Sequence, residues 1–353
     1  MSILDSDLPH QPRDYTLGGP EAVRAIERGL VNAQWYQTPV DRKVMKDLMK
    51  RSDWPALRDT ALWLGLIVGF GILGVLTWGS WWAVPVFMIY GLLYATAADS
   101  RWHECGHGTA FKTPWMNKAV FQIANFLLVS NPVVSWWSHM RHHTDTIIVG
   151  HDPEIPAMRP PELLLIAANT FGLVAAPRNY ATMIRLAFGK LTEREATYVP
   201  QTARAQAFLT ARIHLAIHAT AWGAALWTGS ALPVVLIGLP RFYGIWLSFV
   251  MGVPQHLGLA EDVLDYRLNS RTIMMGPVLR FFYSNMNYHI EHHMFPMVPY
   301  HRLPALHKLI KHDCPPPYRS LWQVWAELIP AVFHQLRDPK YFIDRSLPGD
   351  SIP

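Results

Sequence analysis

The stretch "ALWLGLIVGFGILGVLTW", Ala61 to Trp78, carries no charged side chain over 18 residues. As a helix it reaches the length of a short membrane crossing. A helix is also one of the few backbone forms that satisfy their own polar groups in lipid. After "GSW" a second uncharged run follows, "WAVPVFMIYGLLYATAA", Trp82 to Ala98. The connector is tiny and uncharged, so the two runs are predicted to form a helical hairpin. Trp78, Trp81 and Trp82 at its tip read as interface anchors.

A second pair lies further along, Ala207 to Ser230 and Leu232 to Gly252, again with a short uncharged connector. Arg212, His214, His218 and Arg241 interrupt it. The sequence therefore predicts an all-α integral membrane protein with four transmembrane helices in two hairpins. Two weaker apolar stretches, Ala119 to Trp137 and Leu163 to Ala176, read as interfacial or re-entrant helices, since the second is too short to span and the first contains Gln, Asn and Pro. Basic residues set the orientation. Lys43, Lys46, Lys50, Arg51 and Arg58 precede the first hairpin, and Arg178, Arg185, Lys190, Arg194 and Arg204 lie between the two, while the tips carry none. The expected organisation is a cytoplasmic N-terminal region (1–58), hairpin 1 (59–98), a cytoplasmic or interfacial region (99–206), hairpin 2 (207–252) and a cytoplasmic C-terminal cap (253–353).

Composition agrees. Half of the 353 residues are apolar and only 16% are charged, against about 25% in an average soluble domain. The net charge of +5 fits loops facing anionic lipid. Nucleic acid is excluded as a partner, because the basic residues lie beside apolar spans and form no recognition motif. The two cysteines, Cys105 and Cys314, make no disulfide framework. A reduced Cys105 inside a histidine motif favours a reducing compartment. The N-terminal "MSILDSDLPHQPRDY" has no apolar core of a cleaved signal peptide.

Of 17 histidines, nine fall into a pattern. His103 and His107 are spaced i, i+4 in "HECGH". His139, His142 and His143 follow i, i+3, i+4 in "HMRHH", and His289, His292 and His293 repeat this in "HIEHH". His256 stands alone in "VPQHLGLAED". On a helix these spacings share one face, so each cluster can aim its imidazoles at one point. Imidazole suits Fe, Zn, Cu and Ni. Nine rings are too many for one first-row ion and fit two, at four or five each. Each cluster also sits where an apolar span ends, on the face expected to be cytoplasmic. "HECGH" alone matches a zinc-protease pattern, but that reading leaves most of the clustered histidines idle. His214 and His218, another i, i+4 pair, lie inside an apolar span and are not needed. His10, His301, His307, His312 and His334 are expected on polar surface.

In this order the three motifs resemble the histidine boxes of the membrane fatty acid desaturase and hydroxylase superfamily. The stretch "NMNYHIEHHMFPMVPYHRLPALHKL" is especially similar to the family's third box. The resemblance covers about residues 90 to 312. It implies a four-span helical fold with a cytoplasmic helical cap holding a di-metal site. The implied cofactors are two iron ions, with O2 as co-substrate and two electrons from outside, for attack on an unactivated C–H bond. The ligands it implies are His103, His107, His139, His142, His143, His289, His292 and His293. His256 matches an extra histidine that some members place after the last span. Acyl-CoA desaturases carry an Asn four residues before that histidine; here the position is Gly252.

Metal-bound histidines usually pass their second N–H to a carboxylate or carbonyl. Asp152 in "HDPEIP" is the favoured acceptor, with Asp145, Glu154, Glu261, Asp262, Glu291, Asn285, Asn287 and Asp99 as further candidates and Glu104 as an acceptor or surface residue. The expected reaction is desaturation of an aliphatic C–C bond in a fatty acyl chain. The alternative within the superfamily is a hydroxylase, ketolase or monooxygenase acting on an alkane, carotenoid or small metabolite. A membrane zinc hydrolase or metal transporter is the remote alternative. No haem-binding H-P-G-G or rubredoxin C-x-x-C is present, so a ferredoxin-type or cytochrome b5-type donor with its reductase is expected to dock on the basic face. The active site is expected on the cytoplasmic face of a bacterial inner membrane or an ER-type membrane.

Overall fold

A computed structural model describes residues 13–348; His10 lies outside the described residues. Among these the protein is helical throughout, and its extended pairing is limited to two isolated bridges, Thr272 with Tyr288 and Ile273 with Tyr318. Helix α1 (Asp53–Thr77) contains the uncharged run. At its start the Asp53 carboxylate accepts from the Thr113 amide at 2.8 Å and the Thr113 hydroxyl at 2.7 Å. A turn through Gly79, at φ +85°, reverses the chain, and Trp81 and Trp82 stand exposed at the tip.

The return arm is α2 (Ala83–Gly91), a π-helical turn (Leu92–Thr96) and α3 (Ala97–Gly106) in continuous succession. A π turn takes backbone groups out of the i, i−4 ladder. Trp63 of α1, fully buried, donates its indole N–H to Leu93 O at 2.7 Å. Thr96 donates to Gly244 O at 2.6 Å, tying this arm to the later apolar region. There Gly91 and Gly244 pass so closely that a Cβ on Gly244 would lie 1.9 Å from Gly91 O.

Two helical stretches, Arg42–Thr77 and Ala83–Gly106, are long and apolar enough to cross a membrane. The second expected hairpin departs from expectation. Helix α6 (Gln201–Thr228), closed by Gly229 in a left-handed cap, is long enough to span. Its arginines and histidines keep its composition below that of α1. The Leu232–Gly252 arm is not one helix but three short ones, Leu232–Leu236, Pro240–Tyr243 and Trp246–Gly252. Gly238 at φ +96° and Pro240, which brings no N–H, break it. The stretch read as re-entrant forms α4 (Pro114–Leu127) and α5 (Pro132–Thr144), bent by 103°, the geometry of a re-entrant pair or a broken span. The Leu163–Ala176 run supplies only Leu163–Thr170 as a helix before a new one starts at Ala175.

Candidate metal centre

Each histidine cluster sits near a helix end. His103 lies in the last turn of α3, and His107 is its C-terminal cap. Helix α5 starts at Pro132, with the Asn131 side chain accepting from Val133 and Val134 amides at 3.1 and 3.3 Å, and His139, His142 and His143 occupy its final turns. Helix α7 (His289–Met294) is little more than the third box, with every residue buried. His256 follows a short 3-10 turn, Val253–Gln255. Arg271, fully buried, holds that turn by donating to Pro254 O at 2.6 Å and Leu257 O at 2.7 Å.

The nine rings gather into two groups. His103, His107, His139, His143 and His292 form one; His142, His256, His289 and His293 form the other, with ligand atoms inside each within 4.8 Å of one another. The helical period explains the division. In boxes two and three the i, i+4 pair goes to one group and the i+3 ring, 100° around the helix from its neighbour, goes to the other.

The hydrogen bonds fix which nitrogen faces inward. His256 Nδ1 lies 2.8 Å from Asn269 O, a pure acceptor, so Nδ1 carries the proton. The same logic holds for His142 on Asp152 (2.8 Å), His139 on Glu154 (3.0 Å) and His103 on Glu104 (3.0 Å). Asp152 is itself fixed by the Ile147 and Glu154 amides at 2.8 and 2.7 Å. Each Nε2 is then a bare lone pair. His139 Nε2 lies 3.0 Å from His107 Nε2 and 3.1 Å from His143 Nε2, and His289 Nε2 lies 2.9 Å from His256 Nε2 and 3.1 Å from His293 Nε2. The His103 Nε2 is buried with no partner. One proton cannot satisfy such triangles. A cation with metal–nitrogen bonds of about 2.1 Å and right-angled neighbours spaces its nitrogens by about 3 Å, so the residues present fit a metal ion. Burial, then His142, pushes His256 down to about 3. Burial first and neighbouring imidazoles next lower His289, His292 and His293 as well. Neutral imidazole is the metal-binding form.

Asp152, Glu154 and Glu104 thus touch box histidines. Asp145 pairs with Arg141 at 2.7 Å. Asn285 accepts from Arg280 at 2.7 Å and Asn287 donates to Ile273 O at 2.8 Å, away from the rings. Glu261 and Asp262 bind Arg13, Glu261 at 2.9 Å. Glu291 accepts from Thr272 at 2.6 Å and pairs with His307. That contact corrects the surface expectation for His307, which a buried carboxylate draws inward. His301 is half-buried and contributes to neither group. Asp99 accepts from Trp102 Nε1 at 3.0 Å, and Trp102 lies edge-on to His139 with ring centres 5.2 Å apart. Sequence reasoning missed Trp102 and the Asn269 carbonyl; a backbone acceptor has no residue signature. Cys105 and Cys314 are free and buried.

A cavity of about 610 Å³ opens beside His107, walled by Phe121, Val133, Trp136 and Trp137, with Arg51 and Lys118 also lining it. Comparison with known proteins agrees with the histidine pattern. The fatty acid desaturase family model matches residues 79–325. A Delta(8)-fatty-acid desaturase 2 of Arabidopsis thaliana is 24% identical over 303 residues, 74% of this chain and 66% of that protein. Fatty acid desaturase 3 of Homo sapiens is 23% identical over 266 residues, 67% of this chain and 57% of its own length. A Delta(12) fatty acid desaturase FAD2 of Calendula officinalis is 23% identical over 265 residues, 68% of this chain and 67% of its own. The chain therefore spans about two thirds of these relatives or less. With the family model covering well over half of its residues, and the three boxes inside the match, the chain belongs to the fatty acid desaturase family.

Proposed function

We propose that this protein is a membrane-bound, O2-dependent di-iron oxidoreductase that desaturates an aliphatic C–C bond in a fatty acyl chain, with two electrons from an external carrier. The observation that carries the reading is the five-plus-four grouping of imidazoles with their Nε2 lone pairs turned inward. His103, His107, His139, His143 and His292 hold one iron; His142, His256, His289 and His293 hold the other. The bound pair supplies the O2 activation that cleaving an unactivated C–H bond requires.

The chain's own residues supply position. Asp152, Glu154, Glu104 and the Asn269 carbonyl lock ring tautomers and orientations. Trp102 and Asp99 buttress His139. The cavity at His107 takes the aliphatic chain, its aromatic walls excluding water, and Arg51 and Lys118 complement an acidic head group. In this reading hairpins 59–98 and 207–252 enter the bilayer from one side, and residues 1–58, 99–206 and 253–353 form the cytoplasmic part.

One observation favours a second reading. Arg241 is buried with Nε and Nη1 unpartnered, and the acidic charge acting on it is Asp99, which also holds Trp102. A buried cation is costly unless paired. In this second reading a polar group on a smaller substrate would partner that cation, and the product would be an alcohol.

Metal analysis of the purified full-length protein, with mass spectrometry of lipids and metabolites from cells with and without the gene, tests both. Two irons per chain and a lipid product lighter by two hydrogens support desaturation. A polar product heavier by one oxygen supports the second reading. Zinc binding with no O2 uptake overturns both.

A further inference from the structure

A second cavity, about 950 Å³, reaches the metal centre from another face, lined by Trp35, Arg42, Met45, Lys46, Tyr266 and, at its inner end, His143. Its floor is an aromatic stack. Trp35 lies on Tyr266 with ring centres 4.4 Å apart and planes 10° from parallel. Tyr266 in turn faces His293 at 5.4 Å. Both rings are pinned to the end of α5, Trp35 Nε1 donating to Thr144 O and Tyr266 Oη to His143 O, each at 3.1 Å. Contiguous rings therefore run from a half-buried tryptophan at a groove to an imidazole of the four-histidine group.

The groove's charge points to its partner. No acid lines it, and Arg42 and Lys46 do. Lys43 is exposed on the same short helix, Arg42–Leu48. The acids of this segment are engaged locally, since Asp41 caps the helix by accepting from the Lys43 and Val44 amides and Asp47 binds Lys50 at 2.8 Å. The surface left is cationic around an aromatic floor.

Resting on the di-iron reading above, we propose that the Trp35 groove is the docking site of a small acidic one-electron carrier protein, and that Trp35 and Tyr266 relay its electrons to the metal centre. In each encounter the carrier's reduced iron–sulfur or haem centre is oxidised by one electron, and one metal held by the histidines is reduced by one. Two encounters deliver two electrons, and no covalent bond changes in the transfer itself. Neither ring is a metal ligand; they are positioning residues for the donor and its electron.

The test uses the full-length iron-loaded protein in nanodiscs. The probes are a reduced plant-type [2Fe–2S] ferredoxin and the soluble domain of cytochrome b5, both acidic, with basic cytochrome c as a binding control. Binding is measured by calorimetry against salt. Electron transfer is followed anaerobically by stopped flow, through the probe's own visible absorbance. An acidic probe should bind with an affinity that falls as salt rises, and cytochrome c should not bind. R42E/K46E should weaken binding at least tenfold. Trp35→Leu, read at probe concentrations that saturate binding, should oxidise the bound probe at least tenfold more slowly, with Trp35→Phe recovering most of the rate. Reading the rate at saturation, with Trp35→Phe as the rescue, separates a relay from weaker docking. Undiminished binding by R42E/K46E, or an undiminished rate with Trp35→Leu, overturns the inference while leaving the di-iron reading intact. A wild-type chain that retains iron but oxidises neither probe also overturns it. A chain that retains no iron defeats the di-iron reading and this inference with it.

Discussion

Asp152→Asn removes one oxygen acceptor from a site that uses both. In the native structure Oδ2 accepts from His142 Nδ1 and the Ile147 amide, each at 2.8 Å, and Oδ1 from the Glu154 amide at 2.7 Å. All the donors are N–H groups and the carboxylate is fully buried. An asparagine offers one oxygen, so its NH2 must face at least one of these N–H groups. If it faces Glu154, a buried donor is left unpaired. If it faces His142, the ring is driven towards the other tautomer and its inward lone pair is lost. Leaving a buried donor unpaired costs about 1–3 kcal/mol. Loss of such an outer partner typically lowers metal affinity roughly 10–100-fold, about 1.4–2.8 kcal/mol, so the two routes agree in size. The assay is competition for iron(II) against a chelator of known affinity, on full-length protein in nanodiscs. Asp145→Asn is the control: that carboxylate is also buried but bound to Arg141, so its loss lowers stability and leaves iron affinity unchanged. Wild-type affinity in Asp152→Asn, or an equal fall in both variants, refutes the claim that Asp152 acts through His142.

Three further outcomes follow from the same geometry. His139→Ala should abolish turnover and strip iron from the five-histidine group, whereas His301→Ala, outside both groups, should leave both unchanged; metal content and O2 uptake decide. His256→Ala takes one ring from the smaller group, so iron per chain should fall from two towards one, read by elemental analysis. Gly244→Ala places a Cβ at 1.9 Å from Gly91 O, and overpacking of this kind costs about 1–3 kcal/mol, visible as a lower unfolding midpoint in detergent.

The boxes were legible because a helix converts spacing into direction. His139 and His143 share a face, and the nine rings fall into two groups that could each hold a metal ion. Asp152 was legible because "HDPEIP" places an acid a few residues beyond box two. The return arm of the second hairpin is three short helices rather than one for a physical reason. Apolar composition reports burial or lipid contact, not helical continuity, and the left-handed Gly238 and the missing N–H of Pro240 break the arm inside an otherwise apolar run. His307 looked like surface because its partner Glu291, buried within box three, is a long-range contact. The Trp35–Tyr266 stack joins residues remote in the chain, and nothing in either local sequence announces it.

The division of boxes two and three between the groups makes helical register itself a ligand-setting device, and this can be tested. Inserting two alanines between Met140 and Arg141 turns His142 and His143 by about 200° relative to His139, so that neither ring takes the other's place. His139 and His143 then no longer share a face, so the five-histidine group loses a ring, and His142 leaves the smaller group at the same stroke. Both groups should fail together, which no single histidine substitution achieves. Two alanines inserted between Gly189 and Lys190, in an exposed turn, shift no box internally and should leave metal content near wild type. If the α5 insertion retains both irons in a folded, membrane-inserted chain, the rings are not held by helix geometry, and the assignment of these histidines to two groups is wrong.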